Sequence, residues 1–321
     1  MAEESVLVTG GAGFIGSHLV RGLLRQGHAV RVIDDYATGR IENLEDVRGD
    51  IDLVESSLLD SAALARAVRG VTVVFHEAAI PSVARSARDP MRSHEANVTS
   101  TVALLNAARE ADVERLIYAS SSSVYGGIDA LPVHEELPTV PVSPYGASKL
   151  AGEQYCRAFT RTFGFPTISL RYFNVFGPRQ DPTSEYAAVI PRFALALIRE
   201  QPPVIFGDGR QSRDFTYVDN VIEGNLLAAR ASEEAFGGVF NVAQGGRHTL
   251  LELLVMLESM LDVGSAPPQW EAPRAGDVRH SQADVSAAGR LLGYRPLVTF
   301  EEGLRRTVDW LRSVAPAAVG L

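Results

Sequence analysis

The chain has 321 residues, which is enough for one large domain or two of modest size. Hydrophobic residues make up 46% of it and charged residues 21%, a composition that is ordinary for a globular protein. A net charge of -9 without any run of basic residues argues against nucleic-acid binding through a phosphate footprint. The single cysteine, Cys156, excludes an internal disulfide bond, and we interpret it as buried filling of the core.

The beginning of the chain is acidic and leads directly into a predicted strand, so we expect no signal peptide. No apolar stretch reaches the about 18 residues that a membrane helix needs. His248 and His280 do not show the spacing of metal ligands, and we assign no metal. These observations predict a cytoplasmic protein that binds neither membrane nor nucleic acid.

The first predicted strand, residues 5–9, is followed at once by a glycine-rich loop and then by apolar residues at helical spacing. Gly10, Gly13 and Gly16 therefore lie on a strand–turn–helix unit, the context that a dinucleotide-binding motif requires. The first glycine permits the tight turn, the second lets the backbone approach a pyrophosphate, and the third lets the helix pack on the strand. The amides at the start of the helix then face the anion.

A second predicted strand, residues 29–33, ends in Asp34 and Asp35. A carboxylate about 20 residues after the glycine loop is expected to bond the adenine ribose hydroxyls. It would also repel a 2′-phosphate, so we predict NAD rather than NADP, with Asp34 as the preferred contact. The alternative is a glycine-rich turn followed by unrelated acidic residues, but the register of strand, helix and Asp34 favours the nucleotide site.

Predicted strands and helices then alternate along the first half of the chain. In chain order they are a strand near 51–54, a helix near 60–68, a strand at 72–75, a helix at about 90–110, a strand at 115–119, a helix at about 145–162 and a strand at 167–171. This alternation favours an α/β fold, a doubly wound parallel sheet of Rossmann type with helices on both faces. Ligands of such sheets bind at the carboxyl ends of the strands, which would gather the predicted polar residues around one crevice.

Further along the chain, short apolar runs are broken by glycine, proline and arginine. We predict an NAD-binding domain over 1–173 and a smaller, mixed substrate-binding domain mainly over 174–321. The segments near 217–242 and the C-terminal helix region are expected to return to the first domain. Two late amphipathic helices are predicted at about 249–261 and 300–312.

Four serines, residues 120–123, end the strand at 115–119, and their hydroxyls can bond a substrate, although serines also favour plain turns. Pro144 is acceptable at a helix start, and Tyr145 and Lys149 follow it one turn apart on the same face. Free tyrosine titrates at about 10, so use as a base at neutral pH requires roughly 4 kcal/mol of preference for the phenolate. A nearby cation supplies part of that. Alone, such a pair is more often a surface contact.

The glycine loop, the serine tract and Tyr145-x-x-x-Lys149, in this order, resemble the extended short-chain dehydrogenase/reductase superfamily over nearly the whole chain. The stretches 171–177, 213–219 and 276–281 resemble nucleotide-sugar epimerases, above all UDP-hexose and UDP-N-acetylhexosamine 4-epimerases. The resemblance implies NAD as cofactor, a UDP-sugar as substrate and a homodimer through the helices near 90–110 and 145–162. The apolar residues of these helices appear in excess of what one sheet face needs; they include Val98, Val102, Leu104, Leu105, Ala151 and Phe159.

The resemblance also implies the catalytic roles. Tyr145 would be the general base on the sugar 4-hydroxyl, and Lys149 would bond the nicotinamide ribose and lower the pKa of Tyr145. Ser121 matches the catalytic Ser/Thr position, and Ser122 and Ser123 would share its work. Hydride would leave C4 for the nicotinamide, the 4-keto sugar would turn over, and hydride would return to its other face, so that NAD stays bound.

Further positions carry over from the family. The implied cofactor-binding residues are Gly10, Gly13, Phe14, Ile15, Gly16, Asp34, Asp35, Leu58, Ala78, Ala79, Asn97, Tyr145, Lys149 and Tyr172. The implied substrate-binding residues are Ser82, Ser122, Ser123, Asn174, Ala188, Val189, Arg213, Arg279 and Ser281. Asn174 is expected near the diphosphate, and Arg213 and Arg279 are expected to neutralise it, because a guanidinium fork suits phosphate oxygens. Ser57 replaces an aspartate that relatives often place at the adenine.

Several features bear on the reaction and the sugar. Dehydratases of the superfamily carry an Asp-Glu pair where this chain has Ser122 and Ser123, which favours epimerisation. Arg85 leaves a UDP-glucuronate epimerase or decarboxylase open, since those enzymes need a pocket for a carboxylate. A small residue at Ser281, and the resemblance of 186–191 to N-acetylhexosamine epimerases, predict that UDP-GlcNAc and UDP-GalNAc are substrates, together with UDP-Glc and UDP-Gal. Another NDP-sugar short-chain dehydrogenase and a non-catalytic NAD- or nucleotide-sugar-binding protein are the remaining alternatives.

Overall fold

The structure, a computed structural model, describes residues 4–128, 130–182, 188–264, 267–273 and 278–314. The strands are β1 (Ser5–Thr9), β2 (Ala29–Asp34), β3 (Ile51–Glu55), β4 (Val73–His76), β5 (Arg115–Ser121), β6 (Thr167–Tyr172), β7 (Val175–Phe176), β8 (Val204–Phe206), β9 (Ser212–Arg213), β10 (Thr216–Tyr217), β11 (Val239–Val242), β12 (His248–Thr249) and β13 (Gln269–Glu271). Seven of them form one sheet in the order β11-β6-β5-β4-β1-β2-β3, and the others pair in twos. Every pairing in the large sheet is parallel.

Helices cover both faces of this sheet. They are α1 (Phe14–Arg25), α2 (Ser61–Val68), α3 (Val83–Arg88), α4 (Pro90–His94), α5 (Ser100–Glu110), α6 (Pro144–Phe163), α7 (Val189–Ile198), α8 (Val218–Ala229), α9 (Leu250–Leu261), α10 (Ser286–Leu292) and α11 (Phe300–Val314). The predicted doubly wound, Rossmann-type α/β fold is therefore confirmed. None of these described helices combines the length and hydropathy of a membrane span, and the cytoplasmic setting stays a prediction.

The helix predicted at 90–110 is present, but it is not uniform. After α4 the backbone passes through one π-helical segment, Glu95–Thr99, before α5 begins. In this region the hydroxyls of Ser100 and Thr101 donate to the carbonyls of Ala96 and Asn97. Side-chain bonds of this kind compete with the regular backbone hydrogen bonds of a helix and accompany the irregular turn. The spacing of apolar residues carries no signal of such bonds, so the sequence analysis predicted one regular helix.

Each face of the large sheet buries its own hydrophobic cluster. Alternate residues of β1 point to opposite sides, so Val6 and Val8 belong to one cluster and Leu7 belongs to the other. The first cluster includes residues of α1, α8 and α9, and the second includes residues of α2, α5 and α6. Cys156 is buried in the second cluster, as interpreted from the sequence.

A buried ion pair joins α6 to β6. Arg171 donates from Nε and Nη2 to the two carboxylate oxygens of Glu153 at 2.8 and 2.7 Å. Both side chains are almost fully buried, and the hydroxyl of Ser120 on β5 also donates to Glu153. One carboxylate therefore connects the helix to two neighbouring strands of the sheet.

In the second half of the chain, Asp214 connects three segments through hydrogen bonds to backbone amides. Its Oδ1 accepts from the amide of Gln244 at 3.0 Å, and its Oδ2 accepts from the amides of Gly245 and Ala283 at 3.0 Å each. Burial raises the pKa of this carboxyl to about 7, against the three N–H donors, which favour the anion. Three segments distant in sequence thus meet at one side chain. The predicted domain boundary at residue 173 stays a prediction.

We expect Asp214→Asn to lower the free energy of unfolding by about 1–3 kcal/mol, because one acceptor oxygen becomes an NH2 group that faces backbone N–H donors. Urea denaturation followed by circular dichroism measures this change. The matched control is Asp208→Asn, since Asp208 is exposed and contacts exposed Arg279 and the amide of neighbouring Arg210, and we expect a loss below about 0.5 kcal/mol there. Equal losses in the two variants would contradict the assigned role of Asp214.

Candidate functional site

A cavity of about 670 Å³ lies at the carboxyl ends of the sheet strands. Most of the residues predicted to bind a cofactor line it: Gly10, Gly13, Phe14, Ile15, Gly16, Asp34, Asp35, Leu58, Ala78, Ala79, Tyr145, Lys149 and Tyr172. Ser82 and Ala188, two of the predicted substrate residues, line it as well. The crevice inferred from strand order is therefore present as one continuous cavity.

The glycine loop is packed so tightly that side chains do not fit. Gly10 has φ +69°, and a Cβ there would stand 2.7 Å from the Cα of Ala78. A Cβ on Gly16 would stand 2.2 Å from the carbonyl oxygen of Gly10. Helix α1 begins at Phe14 without a side-chain cap, so its first amides stay available for an anion. The loop therefore fits the pyrophosphate of a dinucleotide.

Asp34 is held in place at the other side of the loop. Its two carboxylate oxygens accept from the backbone amides of Ala12 and Tyr36, each at 2.8 Å. Burial raises the pKa of Asp34, and these two N–H donors oppose that shift. Asp35 accepts from the amide of Ala37 at 3.0 Å. Both carboxylates line the cavity, so this end suits the hydroxyls of an adenine ribose, as predicted.

Tyr145 and Lys149 line the cavity, and Ser121 lies next to Tyr145. Ser121 hydrogen-bonds Tyr145, and Lys149 donates from Nζ to the carbonyl oxygen of Ala119 at 2.8 Å. Burial lowers the pKa of Lys149 to about 8. Burial also raises the pKa of Tyr145, and the bond with Ser121 opposes that shift. The structure therefore joins the three residues predicted to be catalytic.

One expectation needs correction at this point. The pKa of Tyr145 is raised, not lowered, because desolvation of the half-buried phenol outweighs the effect of Ser121. The ammonium of Lys149 is directed to the Ala119 carbonyl.

The serine tract divides between the cavity and its support. Ser120 lines the cavity and donates to Glu153. Ser121 accepts from the amide of Ser123 and donates to its hydroxyl, both at 3.1 Å. Ser122 and Ser123 begin a short 3-10 helix, Ser122–Tyr125, beyond the end of β5. Ser121, Ser122 and Ser123 are not part of the described cavity lining.

Asn97 supports the cavity wall instead of lining it. Its Oδ1 accepts from the amide of Ile80 at 2.8 Å, and its Nδ2 donates to the Ile80 carbonyl and to the Ser148 hydroxyl. Both the oxygen and the nitrogen of this side chain are therefore engaged within the protein. We correct the expected direct contact with the cofactor: Asn97 positions the segment around Ile80 instead. His76 is likewise internal, between the hydroxyls of Thr9 and Thr101, and burial lowers its pKa to about 3.

The remaining predicted substrate residues form a second group. Asn174, which has φ +36°, donates to the carbonyl of Asp214 and to the hydroxyl of Ser281, each at 3.1 Å. Arg213 donates to backbone carbonyls, including that of Arg279, and the side chain of Arg279 is 70% exposed beside Asp208. The described lining of the cavity does not include the predicted substrate residues Asn174, Arg213, Arg279, Ser281 and Val189, the last of which begins α7. Tyr186, Ala187, Gly276 and Asp277 lie outside the described residues.

Sequence analysis missed Glu77 and the group around it. Glu77 directly follows β4, lines the cavity and accepts a hydrogen bond from Tyr172 at 2.7 Å. Arg85 and Ser57, which were weighed from the sequence, also line the cavity. An acidic residue immediately after a buried strand was the available signal for Glu77. Among the described residues, no group of three or more His, Cys, Asp or Glu side chains could hold a metal.

Comparison with known proteins gives consistent matches along the whole chain. The sequence profile of the NAD dependent epimerase/dehydratase family matches residues 6–243. The UDP-glucose 4-epimerase of Mycolicibacterium smegmatis is 38% identical over 312 residues, which are 96% of this chain and 98% of that relative.

Two solved structures are similar in fold and sequence. UDP-glucose 4-epimerase of Thermotoga maritima, with UDP-glucose, has a TM-score of 0.92 at 37% identity and covers 97% of this chain and 99% of its own. UDP-N-acetylglucosamine 4-epimerase of Methanobrevibacter ruminantium, with UDP-N-acetylmuramic acid, has a TM-score of 0.92 at 38% identity and covers 98% and 99%. The glycine loop, the Asp34 carboxylate and these matches lead to one conclusion: the chain belongs to the NAD dependent epimerase/dehydratase family, and its cofactor is NAD.

Proposed function

We propose that this protein is an NAD-dependent UDP-sugar 4-epimerase. The observation that carries the proposal is that Tyr145 and Lys149 line one end of the dinucleotide cavity, with Ser121 next to Tyr145. Ser122 and Ser123 stand where dehydratases carry an acid pair, so the chain offers no evident group for elimination at C5 and C6. UDP-sugar 4-epimerases among the similar proteins support the same reaction.

The proposed mechanism uses the chain's own groups for binding and proton transfer. NAD, once bound, supplies the hydride acceptor and donor for C4 of the sugar. Tyr145 acts in its phenolate form, after its own proton has passed to solvent; the phenolate oxygen accepts the proton of the 4-hydroxyl and returns it when the sugar is reduced again. Ser121, which hydrogen-bonds Tyr145, orients that hydroxyl. Lys149 holds a buried positive charge on the same helix, and this charge stabilises the phenolate as it forms.

We expect Tyr145→Phe to lower turnover by about 10²–10⁴-fold, because the proton acceptor is lost, while NAD still binds. Each sugar, UDP-GlcNAc or UDP-Glc, is incubated without added cofactor, and the anomeric proton signals are followed by NMR. Tyr155→Phe, an exposed tyrosine on the same helix, is the control. Wild-type turnover in Tyr145→Phe would remove this residue from the mechanism. A wild-type protein that binds NAD but turns over no sugar would favour the non-catalytic alternative.

For the sugar, we propose UDP-GlcNAc and UDP-GalNAc, with UDP-Glc and UDP-Gal accepted as well. Ser281 is small, and its hydroxyl already bonds the side chain of Asn174 and the backbone of Asp214. A bulky residue there would project beside Asn174, the residue proposed to lie near the diphosphate. Arg213 and Arg279 are proposed to neutralise that diphosphate.

A uronate substrate is the second candidate. Arg85 lines the cavity and could accept a sugar carboxylate in the form of an ion pair. A UDP-glucuronic acid 4-epimerase of Bacillus cereus, solved with NAD, is also similar to this chain, with 34% identity and a TM-score of 0.90. UDP-glucuronate therefore belongs in the substrate panel.

We expect Ser281→Tyr to lower kcat/KM for UDP-GlcNAc by at least about tenfold, with a smaller loss for UDP-Glc, because the ring fills space needed by the acetamido group. Ser281→Ala is the matched control, since it removes the hydroxyl but not the space. Coupled assays with both sugars measure the ratio. The size argument fails if wild-type protein turns over UDP-Glc but leaves UDP-GlcNAc unchanged, or if Ser281→Tyr keeps the wild-type ratio.

A homodimer through the helices near 90–110 and 145–162 remains part of the proposal, but not through all of the residues first named. Val98, Leu104, Leu105 and Phe159 are buried in the chain's own core, whereas Val102 and Ala151 are half-buried. The same helices also expose Met91 on α4, and Tyr155 and Phe163 on α6. These apolar side chains support pairing across this face.

We expect Met91→Glu to shift the protein from dimer to monomer, because a charge would be buried between the subunits. Val255→Glu is the control: Val255 on α9 is 64% exposed, close to the 65% of Met91, but lies on another helix. Sedimentation velocity at several protein concentrations measures the mass of the particle in solution. A monomeric wild-type protein, or a dimer unchanged by Met91→Glu, would refute the interface.

A further inference from the structure

Glu77 is an acidic residue of the cavity that the mechanism above does not use. Its Oε1 accepts from the hydroxyl of Tyr172 at 2.7 Å, and that hydroxyl accepts in turn from Nδ2 of Asn225 at 2.8 Å. Asn225 is fully buried on α8. The carboxylate is therefore held in one orientation by two residues of the scaffold, while Glu77 itself lines the cavity.

The position of Glu77 follows from the two ends of the cavity. Asp34 marks the adenosine end and the glycine loop marks the pyrophosphate, so the nicotinamide belongs at the end that Tyr145 and Lys149 line. Glu77 lies at that same end: its carboxylate acts electrostatically on Lys149, Tyr145 and Tyr172.

Among the charges around Lys149, Glu77 is the carboxylate that balances the Lys149 ammonium. Two carboxylates act on the Lys149 ammonium, Glu77 and Glu153. Glu153 is already paired with Arg171 at 2.7 Å. The other groups that act on or face Lys149 are neutral at physiological pH, and they are His76, Tyr118 and Cys156. Glu77 is thus the carboxylate that offsets the Lys149 ammonium at this end of the cavity, and without it that positive charge would be unbalanced beside the nicotinamide.

We propose that Glu77 is a positioning residue that sets the charge balance of the site so that the bound cofactor is held preferentially in its oxidised form. The nicotinamide ring carries a positive charge as NAD+ and none as NADH. A fixed carboxylate close to the ring therefore favours NAD+. The use made of this bias rests on the proposed function: an epimerase must give its hydride back in every cycle, and a site that disfavours NADH drives that return.

The bias is expected to depend on pH. Burial raises the pKa of Glu77 to about 7, although Tyr172 and Lys149 oppose the shift. Below that pH the carboxyl is protonated and neutral, so the preference for NAD+ is lost; above it the charge and the preference are present. Burial lowers the pKa of Lys149 only to about 8 and raises those of Tyr145 and Tyr172. A series from about pH 5.5 to about 7 therefore reports chiefly on Glu77.

An exchange titration without sugar tests the proposal. Protein loaded with NAD+ is titrated with NADH, and bound NADH is followed by its fluorescence; the exchange constant is the ratio of the two affinities. We expect Glu77→Gln, which keeps the size and an acceptor for Tyr172, to shift this constant toward NADH by about tenfold, or ~1.4 kcal/mol. Wild-type protein is expected to favour NAD+ increasingly as the pH rises through the series, and Glu77→Gln to stay flat.

Asp35→Asn is the matched control, because it removes the same charge from the adenosine end of the same cavity. It should weaken both cofactor forms alike and leave the exchange constant within about twofold. An unchanged constant in Glu77→Gln, an equal shift in Asp35→Asn, or a flat wild-type pH series would each overturn the proposal. If Glu77→Gln does not fold, the wild-type series decides. Because no sugar is present, failure to turn over UDP-sugars would count against the proposed function and leave this test intact.

Discussion

The buried ion pair between Glu153 and Arg171 is the interaction on which the catalytic geometry depends. It joins α6, which carries Tyr145 and Lys149, to β6, and Ser120 brings in the end of β5. Removing one partner of such a pair costs about 3–5 kcal/mol, because the other charge is left buried and alone. The pair lies one helical turn beyond Lys149. Any tilt of α6 would therefore move the Tyr145 phenol away from Ser121, which sits on the adjacent strand end.

Burial sets the chemistry of the site as much as the identity of its residues does. Desolvation by burial raises the pKa of Tyr145 and lowers that of Lys149. Both shifts disfavour the charged forms, so the resting site is poised close to neutrality. Charge that develops during turnover is consequently felt strongly by fixed neighbours, since little water is present to screen it. A carboxylate such as Glu77 carries more weight here than it would on a surface.

Local sequence patterns were enough for the sheet and the cofactor cavity, because their signals lie close together in the chain. Strand, glycine loop, helix and Asp34 fall within the first 34 residues, and Tyr145 and Lys149 share one helical face. Helix α7 was not predicted because its sequence is apolar nearly throughout and includes Pro191, a residue that commonly interrupts helices. The pKa of Tyr145 was misjudged because spacing shows a neighbouring cation but not the depth of burial.

The substrate half depends on contacts that no local pattern contains. Asn174, Asp214 and Ser281 meet across more than 100 residues of chain. The resemblance implied that Asn97 contacts the cofactor, but its side chain bonds Ile80 and Ser148 and so supports the wall of the cavity. His76 and Glu77 are neighbours at the end of one strand and face opposite sides, which decides that one is core and the other is cavity.

The place of β11 in the sheet has a consequence for how the protein is made. Six of the seven strands are complete once residue 172 has been synthesised, and the last one, residues 239–242, pairs with the outer edge of β6. The nucleotide cavity can therefore take shape while the rest of the chain is still on the ribosome. During that interval the edge of β6 presents unpaired amides and carbonyls, the kind of surface on which strands of other molecules add. Strand β11 covers this edge when it pairs with β6. From then on the edge of β6 is no longer available to strands of other molecules.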